Sequence, residues 1–181
     1  MILIPTKPVR LLASAAACAL ALAVLPPSAL AQKTDDKKPA LSAAEVTYLQ
    51  QIARANLGEI VMSYLALEKS ASEDVKEHAR GMISGHGKSM QMMMEMVSKH
   101  GAFISLEPDL ASYQKLLSEG GADFDKVYAS EAQRINQEAI DNLNGVMGQI
   151  SSDDVKSFAQ DDLKEDKEHL KKAQDLGSKL K

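Results

Sequence analysis

The stretch from Leu41 to Ser70, LSAAEVTYLQQIARANLGEIVMSYLALEKS, decides the fold class of this chain. Ser42 and Glu45 form a capping box, in which each side chain accepts a hydrogen bond from a free backbone amide at a helix start. Apolar, small and amide residues then recur at spacings of three and four, at Val46, Leu49, Ala53, Asn56, Ile60, Ser63 and Leu67. This spacing predicts an amphipathic helix over residues 42–70.

Three further long segments follow the same rule. Ser72, Glu73 and Asp74 open a second helix, which Gly101 ends in a left-handed conformation. Its predicted buried stripe consists of Val75, Ala79, Met82, His86, Met90, Met93 and Val97. Two more long helices are predicted over residues 122–150 and 152–179, with a short helix near 109–118 in the connection. Because no segment alternates like a strand, residues 42–181 are predicted to form an all-α four-helix bundle.

The two halves of the bundle resemble each other. A shift of 80 residues places Tyr48 on Tyr128 and Asn56 on Asn136. The same shift aligns Ser72, Asp74, Val75, Lys76 and Ala79 with Ser152, Asp154, Val155, Lys156 and Ala159. One offset therefore covers two helices and the turn between them, which predicts two duplicated helical hairpins.

The N-terminal segment has the pattern of a secretory signal. Lys7 and Arg10 precede the uncharged run Leu11–Leu25, and small residues then lead to Ala31. Residues 1–31 are predicted to be a signal peptide cleaved after Ala31, and residues 32–41 a flexible leader. Cleavage would leave 150 residues and change the formal charge from −4 to −6. So acidic a chain disfavours nucleic acid as a partner.

Export sets the predicted compartment. The apolar run is shorter than the roughly 20 residues of a membrane span, so a periplasmic or secreted protein without a transmembrane span is expected after cleavage. The only cysteine, Cys18, lies inside this run. It is either a lipidation site that retains the leader as an anchor or a small apolar residue in a discarded segment, the interpretation we favour. In the second case disulfides and thiol catalysis are excluded.

The two hairpins resemble a known family. Residues 56–90 (NLGEIVMSYLALEKSASEDVKEHARGMISGHGKSM), 122–135 (ADFDKVYASEAQRI) and 162–174 (DLKEDKEHLKKAQ) look like exported, ferritin-like bacterial proteins grouped as domain of unknown function 4142. The likeness runs from Leu41 to Leu176 and implies a fold and a compartment without an established activity. The family places a glutamate on the first helix and histidines on the other three. The corresponding residues here are Glu59, His86, Asn136 and His169, so the third position departs from the pattern.

These positions suggest a metal site. Ferritin-like bundles that bind metal project carboxylates and histidines inward from all four helices. Asp166 and His169 have the spacing of three that lets both reach one point, and the repeat makes His86 and Asp166 equivalent. The candidate ligands, for iron, manganese, zinc or copper, are Glu59, His86, Asp162, Asp166 and His169.

Two other interpretations of this cluster stay open. A protonated histidine can balance Asp166 as a purely structural pair. Catalysis of the di-iron type is disfavoured, because Asn136 is not a nitrogen ligand and Ile83 stands where a glutamate would precede His86.

Methionines cluster on the second helix, in GHGKSMQMMMEM (residues 85–96). Met82, Met90 and Met93 share the stripe of His86 and offer a soft site for copper. Flexible methionine also fills helical cores, and a chain with seven aromatic residues needs such bulk, so core packing is favoured. Met92 and Met96 are predicted to lie off the stripe, and His78 and His100 to be solvated.

The sequence favours binding over catalysis. It contains no glycine-rich phosphate loop, nucleophile elbow or paired cysteines. The predicted function is a non-catalytic binding or envelope-stress protein with a candidate divalent metal site. The alternative is a structural or interaction module whose partner is another envelope protein or a second copy of the chain. A copper-binding protein or a di-iron-type oxidase is the third reading.

Overall fold

The computed structural model describes residues 39–180, apart from the side chain of Ala122. The predicted signal peptide and nearly all of the predicted leader lie outside these residues. All regular structure within the described range is helical. The helices are α1 (Ala43–Lys69), α2 (Glu73–Lys99), α3 (Ala111–Leu117), α4 (Gly121–Val146) with a 3-10 turn (Met147–Gln149), and α5 (Asp153–Lys179). The predicted all-α class and the five helical segments are confirmed.

The helix ends follow the sequence signals. In the capping box, the Ser42 amide donates to Glu45 at 2.8 Å and the Glu45 amide donates to the Ser42 hydroxyl at 3.3 Å. Ser72 caps α2, and Gly101 ends it with a φ of 63°. The first and last residues of α5 each lie 80 positions after those of α2, so the boundaries follow the offset of the sequence repeat.

The helices pack as two hairpins. α1 packs along α2 and α4 along α5, while α1 also contacts α4 and α2 also contacts α5. The start of α1 lies beside the start of α5, where Ser152 donates to Glu45. A connector, residues 100–120, returns the chain along α1, so that the two hairpins are joined by one long crossing. One long crossing between two hairpins is typical of ferritin-like bundles.

Contacts with α1 fix the connector. The amide of Asp109 donates to the carbonyl of Arg54 at 3.0 Å, and Lys69 donates to the carbonyl of Leu117 at 3.0 Å. Gly58 permits this crossing, because a Cβ atom there would collide with the carbonyl oxygen of Asp109. The close approach of backbone to helix explains a glycine in the middle of α1.

The core has two apolar clusters with a polar layer between them. The first cluster joins the start of α1 and α5 to the end of α2 and α4, and the second joins the opposite ends. Between them lie eight buried polar side chains, here called the polar layer: Asn56, Glu59, His86, Ser89, Asn136, Asp162, Asp166 and His169. Among the described residues, no helix has both the length and the apolar character of a membrane span.

Burial on α1 differs from the predicted stripe. Ile60 and Leu67 are only half-buried, whereas Glu59 and Met62 are buried. The centre of the buried face of α1 is therefore displaced by about one residue from the centre of the predicted stripe. The reason is that the polar layer draws a carboxylate inward at a position that apolar periodicity does not select.

Candidate functional site

Glu59 occupies the middle of the polar layer. Its Oε1 lies 3.4 Å from Nε2 of His86, and its Oε2 accepts a hydrogen bond from the Asn136 amide at 3.2 Å. Asn136 is fully buried and also donates to the carbonyl of Ala132 at 2.8 Å. The asparagine that departs from the family pattern therefore remains part of the cluster, as a donor to Glu59.

His86 and His169 meet across the α2–α5 interface. Their ring centroids are 4.8 Å apart, with an interplanar angle of 68°. Both side chains are buried, and the Nε2 of His169 lies 3.9 Å from the Glu165 carboxylate. Glu59, His86 and His169 thus lie next to one another in the layer.

Asp162 belongs to a different part of the layer. Its Oδ2 accepts a hydrogen bond from the Tyr48 hydroxyl at 3.4 Å, and its Oδ1 accepts one from Ser89 at 3.2 Å. The amide of Asn56 in turn donates to Ser89 at 3.2 Å. Burial raises the pKa of Asp162 to about 6 despite these donors. Both oxygens of Asp162 already have partners, so it contributes to the layer's scaffold.

Asp166 lacks such partners. Its Oδ2 is buried and has no hydrogen-bond partner in residues 39–180. Burial, together with the neighbouring Asp162 carboxylate, raises the pKa of Asp166 to about 8. A protonated histidine that balances Asp166 directly, one of the interpretations of the sequence, is not found within 4 Å among the described ion pairs; an ionised Asp166 would raise the pKa of His86.

The two histidines of the layer differ in their pKa values. Burial alone would lower the pKa of His86, but the adjacent Glu59 carboxylate, together with the acidic groups of Asp166 and Glu165, raises this pKa. Burial, with the nearby positive charge of His86, lowers the pKa of His169 to about 3. His169 is therefore a neutral imidazole at physiological pH, the form that binds metal ions.

Four atoms of the polar layer are buried without a hydrogen-bond partner in the described chain: His86 Nε2, Asn136 Oδ1, Asp166 Oδ2 and His169 Nδ1. Buried polar atoms in folded proteins are nearly always satisfied, so a concentration of exceptions calls for an explanation. Within residues 39–180, no three histidine, aspartate or glutamate side chains already converge as metal ligands. A cation would therefore need side-chain rearrangement to collect its ligands.

The prediction of solvated histidines is wrong for both residues concerned. Nδ1 of His78 lies 3.0 Å from the Tyr128 hydroxyl, and burial lowers the pKa of His78 to about 4. His100 is buried, with Nδ1 at 2.6 Å from the carbonyl oxygen of Pro39 and Nε2 at 3.0 Å from Asp154. Partners more than 45 residues away in sequence contact both rings, and they leave His78 half-buried and His100 buried.

The methionines pack mainly as core residues. Met82 is buried, and Met90 and Met93 belong to the first apolar cluster. Met96, predicted to lie off the stripe, joins the same cluster, whereas Met92 is 49% exposed. This packing favours core filling over copper ligation.

Several residues of the network were not predicted as site residues. Tyr48 and Ser89 hold Asp162, and Tyr128 contacts both His78 and Ser63. The repeat carries a signal for some of them, because Tyr48 pairs with Tyr128, and each hydroxyl contacts a polar side chain inside the bundle.

The fold and the site together define a helical bundle with an ionisable layer inside its core. The chain matches the family model described as a domain of unknown function, DUF4142, over residues 30–176, and it belongs to this family. None of the curated proteins matches it. A solved structure, the crystal structure of a DUF305 fragment from Deinococcus radiodurans, is similar with a TM-score of 0.70 and 14% sequence identity. The similarity covers 78% of this chain and 99% of that one, and at this identity it shows the fold alone.

Proposed function

We propose that this protein is an exported, non-catalytic binding protein whose polar layer takes up one divalent transition-metal cation. The observation that carries the proposal is a group of three buried atoms without a hydrogen bond on the candidate ligands His86, Asp166 and His169; of these, His86 Nε2 has an ion-pair partner, Glu59 at 3.4 Å. Glu59, 3.4 Å from His86, would complete the ligand set. Asp162 would support the site through its hydrogen bonds to Tyr48 and Ser89.

Energetics support a bound ligand. A buried polar group without a hydrogen bond costs on the order of 1–3 kcal/mol, and an apolar replacement of a buried charged group is often neutral or stabilising. A bundle built only for stability gains nothing from several such atoms in one layer. A cation would satisfy them together, and it would also offset the carboxylates of Glu59 and Asp166.

The donor set indicates the class of ion. Two imidazoles and carboxylates suit zinc, iron or manganese, while cuprous ion, the soft form of copper, prefers thioethers and thiolates. Of the three methionines that a copper site would use, Met90 and Met93 pack in the first apolar cluster and Met82 is buried. We therefore place zinc, iron and manganese ahead of cuprous copper.

The test is metal analysis of the exported protein purified without a histidine tag, followed by titration calorimetry with zinc, manganese, ferrous and cupric salts. We expect one equivalent of bound metal, and at least about 100-fold weaker binding in His86→Gln and His169→Gln. Glu168→Gln, an exposed acid next to His169 in sequence, is the matched control and should bind as the wild type does. An intact mass equal to that of a chain that begins at Gln32 would support export.

The alternative is a structural or interaction module of the cell envelope. It is favoured by exposed apolar side chains on the connector, where Phe103 is 87%, Leu106 51% and Leu117 50% exposed. If the wild-type protein is purified without metal and binds none of the four ions, the binding proposal is rejected and this module is favoured. Oxygen uptake above buffer with added ferrous ion would instead indicate an oxidase.

A further inference from the structure

A groove of about 300 Å³ between α2 and α5 borders the polar layer. Five carboxylates line it, against the single lysine Lys99; they belong to Glu95, Asp154, Asp161, Asp162 and Glu165. Ser89 and Asp162 of the polar layer are among the lining residues, so the groove connects solvent with the layer. A cleft lined by one sign of charge concentrates counter-ions of the opposite sign.

Glu165 links this groove to the histidines. Its side chain is 31% exposed, lines the groove, and places Oε1 3.9 Å from Nε2 of His169. His169 itself is 4% exposed, and its Nδ1 has no hydrogen-bond partner in the described chain. One carboxylate therefore borders the groove on one side and approaches Nε2 of a buried imidazole on the other, while the ring's second nitrogen, Nδ1, is the one without a partner.

Gly85 makes this contact sterically feasible. A Cβ atom at Gly85 would lie 2.8 Å from Oε1 of Glu165 and 2.9 Å from Nε2 of His169. The same atom at Gly87, two residues further along α2, would have no neighbour within 4 Å. Since glycine inside a helix is unfavourable, its presence at residue 85 is explained by the room that both side chains need.

We propose that Glu165 is a further cation-binding residue, which captures a hydrated divalent cation from the acidic groove and passes it to His169, while Gly85 keeps this passage open. The inference rests on the proposed function, since it assigns the route by which the layer takes up its cation. Glu165 is a carboxylate in reach of water, so it can bind the ion before the ion loses its hydration shell. The other groove carboxylates raise the local concentration of cations.

The test is stopped-flow mixing of metal-free full-length protein with zinc chloride, followed by tyrosine fluorescence. The chain has four tyrosines and no tryptophan, and the hydroxyl of Tyr48 contacts Asp162 in the layer. We expect Glu165→Gln to slow association roughly fivefold at low ionic strength, and by less in high salt, because salt screens the attraction. Glu168→Gln removes the same charge outside the groove and should keep the wild-type rate.

Gly85→Ala against Gly87→Ala is the second pair of variants. Only the first should slow association, since both add the same methyl group to α2 but only one faces Glu165 and His169. An unchanged rate in Glu165→Gln, or equal slowing in Glu168→Gln, overturns this inference and leaves the binding site in place. Wild-type protein that binds no zinc at equilibrium overturns the proposed function for that ion together with the route.

Discussion

Glu45 gives the sharpest prediction, because one carboxylate joins the starts of two helices. Its Oε2 accepts from the amide and the hydroxyl of Ser42, both at 2.8 Å. Its Oε1 accepts from the amides of Ser151 at 3.0 Å and Ser152 at 2.7 Å. Glu45→Gln keeps the size of the side chain but turns one acceptor oxygen into an NH2 group that faces these donors. We expect the variant to destabilise the end of the bundle at which α1 and α5 begin.

The magnitude follows from the pKa of this group. Burial alone would raise the pKa of Glu45, but hydrogen bonds from Ser152, Ser42 and Ser151 outweigh it and lower the pKa from 4.5 to about 2. The folded pKa lies below the unfolded one, so the ionised carboxylate stabilises the fold fully above about pH 4.5. This contribution disappears as the pH falls through about 2, and its full size is about 3 kcal/mol.

The assay is urea unfolding followed by circular dichroism, from about pH 7 down to about pH 2. Glu68→Gln, an exposed acid on the same helix, is the control and should change the free energy of unfolding by less than about 0.5 kcal/mol. Glu45→Gln should lose about 3 kcal/mol near neutrality and progressively less as the pH approaches 2. A loss below about 1 kcal/mol at pH 7, or one that does not vary with pH, would refute the reasoning.

Three further perturbations test the fold and the layer by the same unfolding assay. Gly58→Ala should lower the free energy of unfolding by about 1–3 kcal/mol, because the new methyl group collides with the carbonyl of Asp109. Gly87→Ala should raise it by up to about 1 kcal/mol, and equal effects of the two substitutions would contradict this account. The Asp166→Asn variant should become more stable relative to the wild type as the pH rises from about 4 to about 8, because the wild type releases the proton of Asp166 when it unfolds in this range. A difference in the free energy of unfolding that does not change with pH would contradict this expectation. His100→Ala should lose about 2 kcal/mol near neutral pH with its two hydrogen bonds, and a neutral result would show that they contribute little.

Local signals were sufficient for the fold. The capping box at Ser42, the cap at Ser72 and the glycine at residue 101 each act over a few residues, and the structure has all three. Every residue of the predicted α2 stripe is buried as well. On α1 the prediction shifted by about one residue, because apolar periodicity selects Ile60 and the structure buries Glu59 beside it. Only the family resemblance indicated Glu59.

The connections within the site could not be predicted in the same way. Tyr48 contacts Asp162 from 114 residues away, and Ser89 contacts it from 73. Such pairs depend on which helix faces which, and sequence spacing within one helix carries no information on that. His78 was misassigned for the same reason, since its partner Tyr128 lies on α4. Periodicity finds which residues point inward, and only packing decides which of them meet.

The protonation states suggest how the bundle can fold around an ionisable layer before any cation arrives. Burial drives each group toward its less costly form: the pKa of Asp166 rises, so its carboxyl keeps a proton, and the pKa of His169 falls, so its ring stays neutral. The pKa of His86 rises, because the Glu59 carboxylate 3.4 Å away favours the charged form of its ring. Protons thereby limit the charge that has to be buried, but they give the unpartnered atoms of Asp166 and His169 no hydrogen bond within the described chain. A purely structural role gives no reason for those two unpartnered atoms. A layer that exchanges protons for a metal ion, in contrast, needs both atoms to be without a partner until the ion binds.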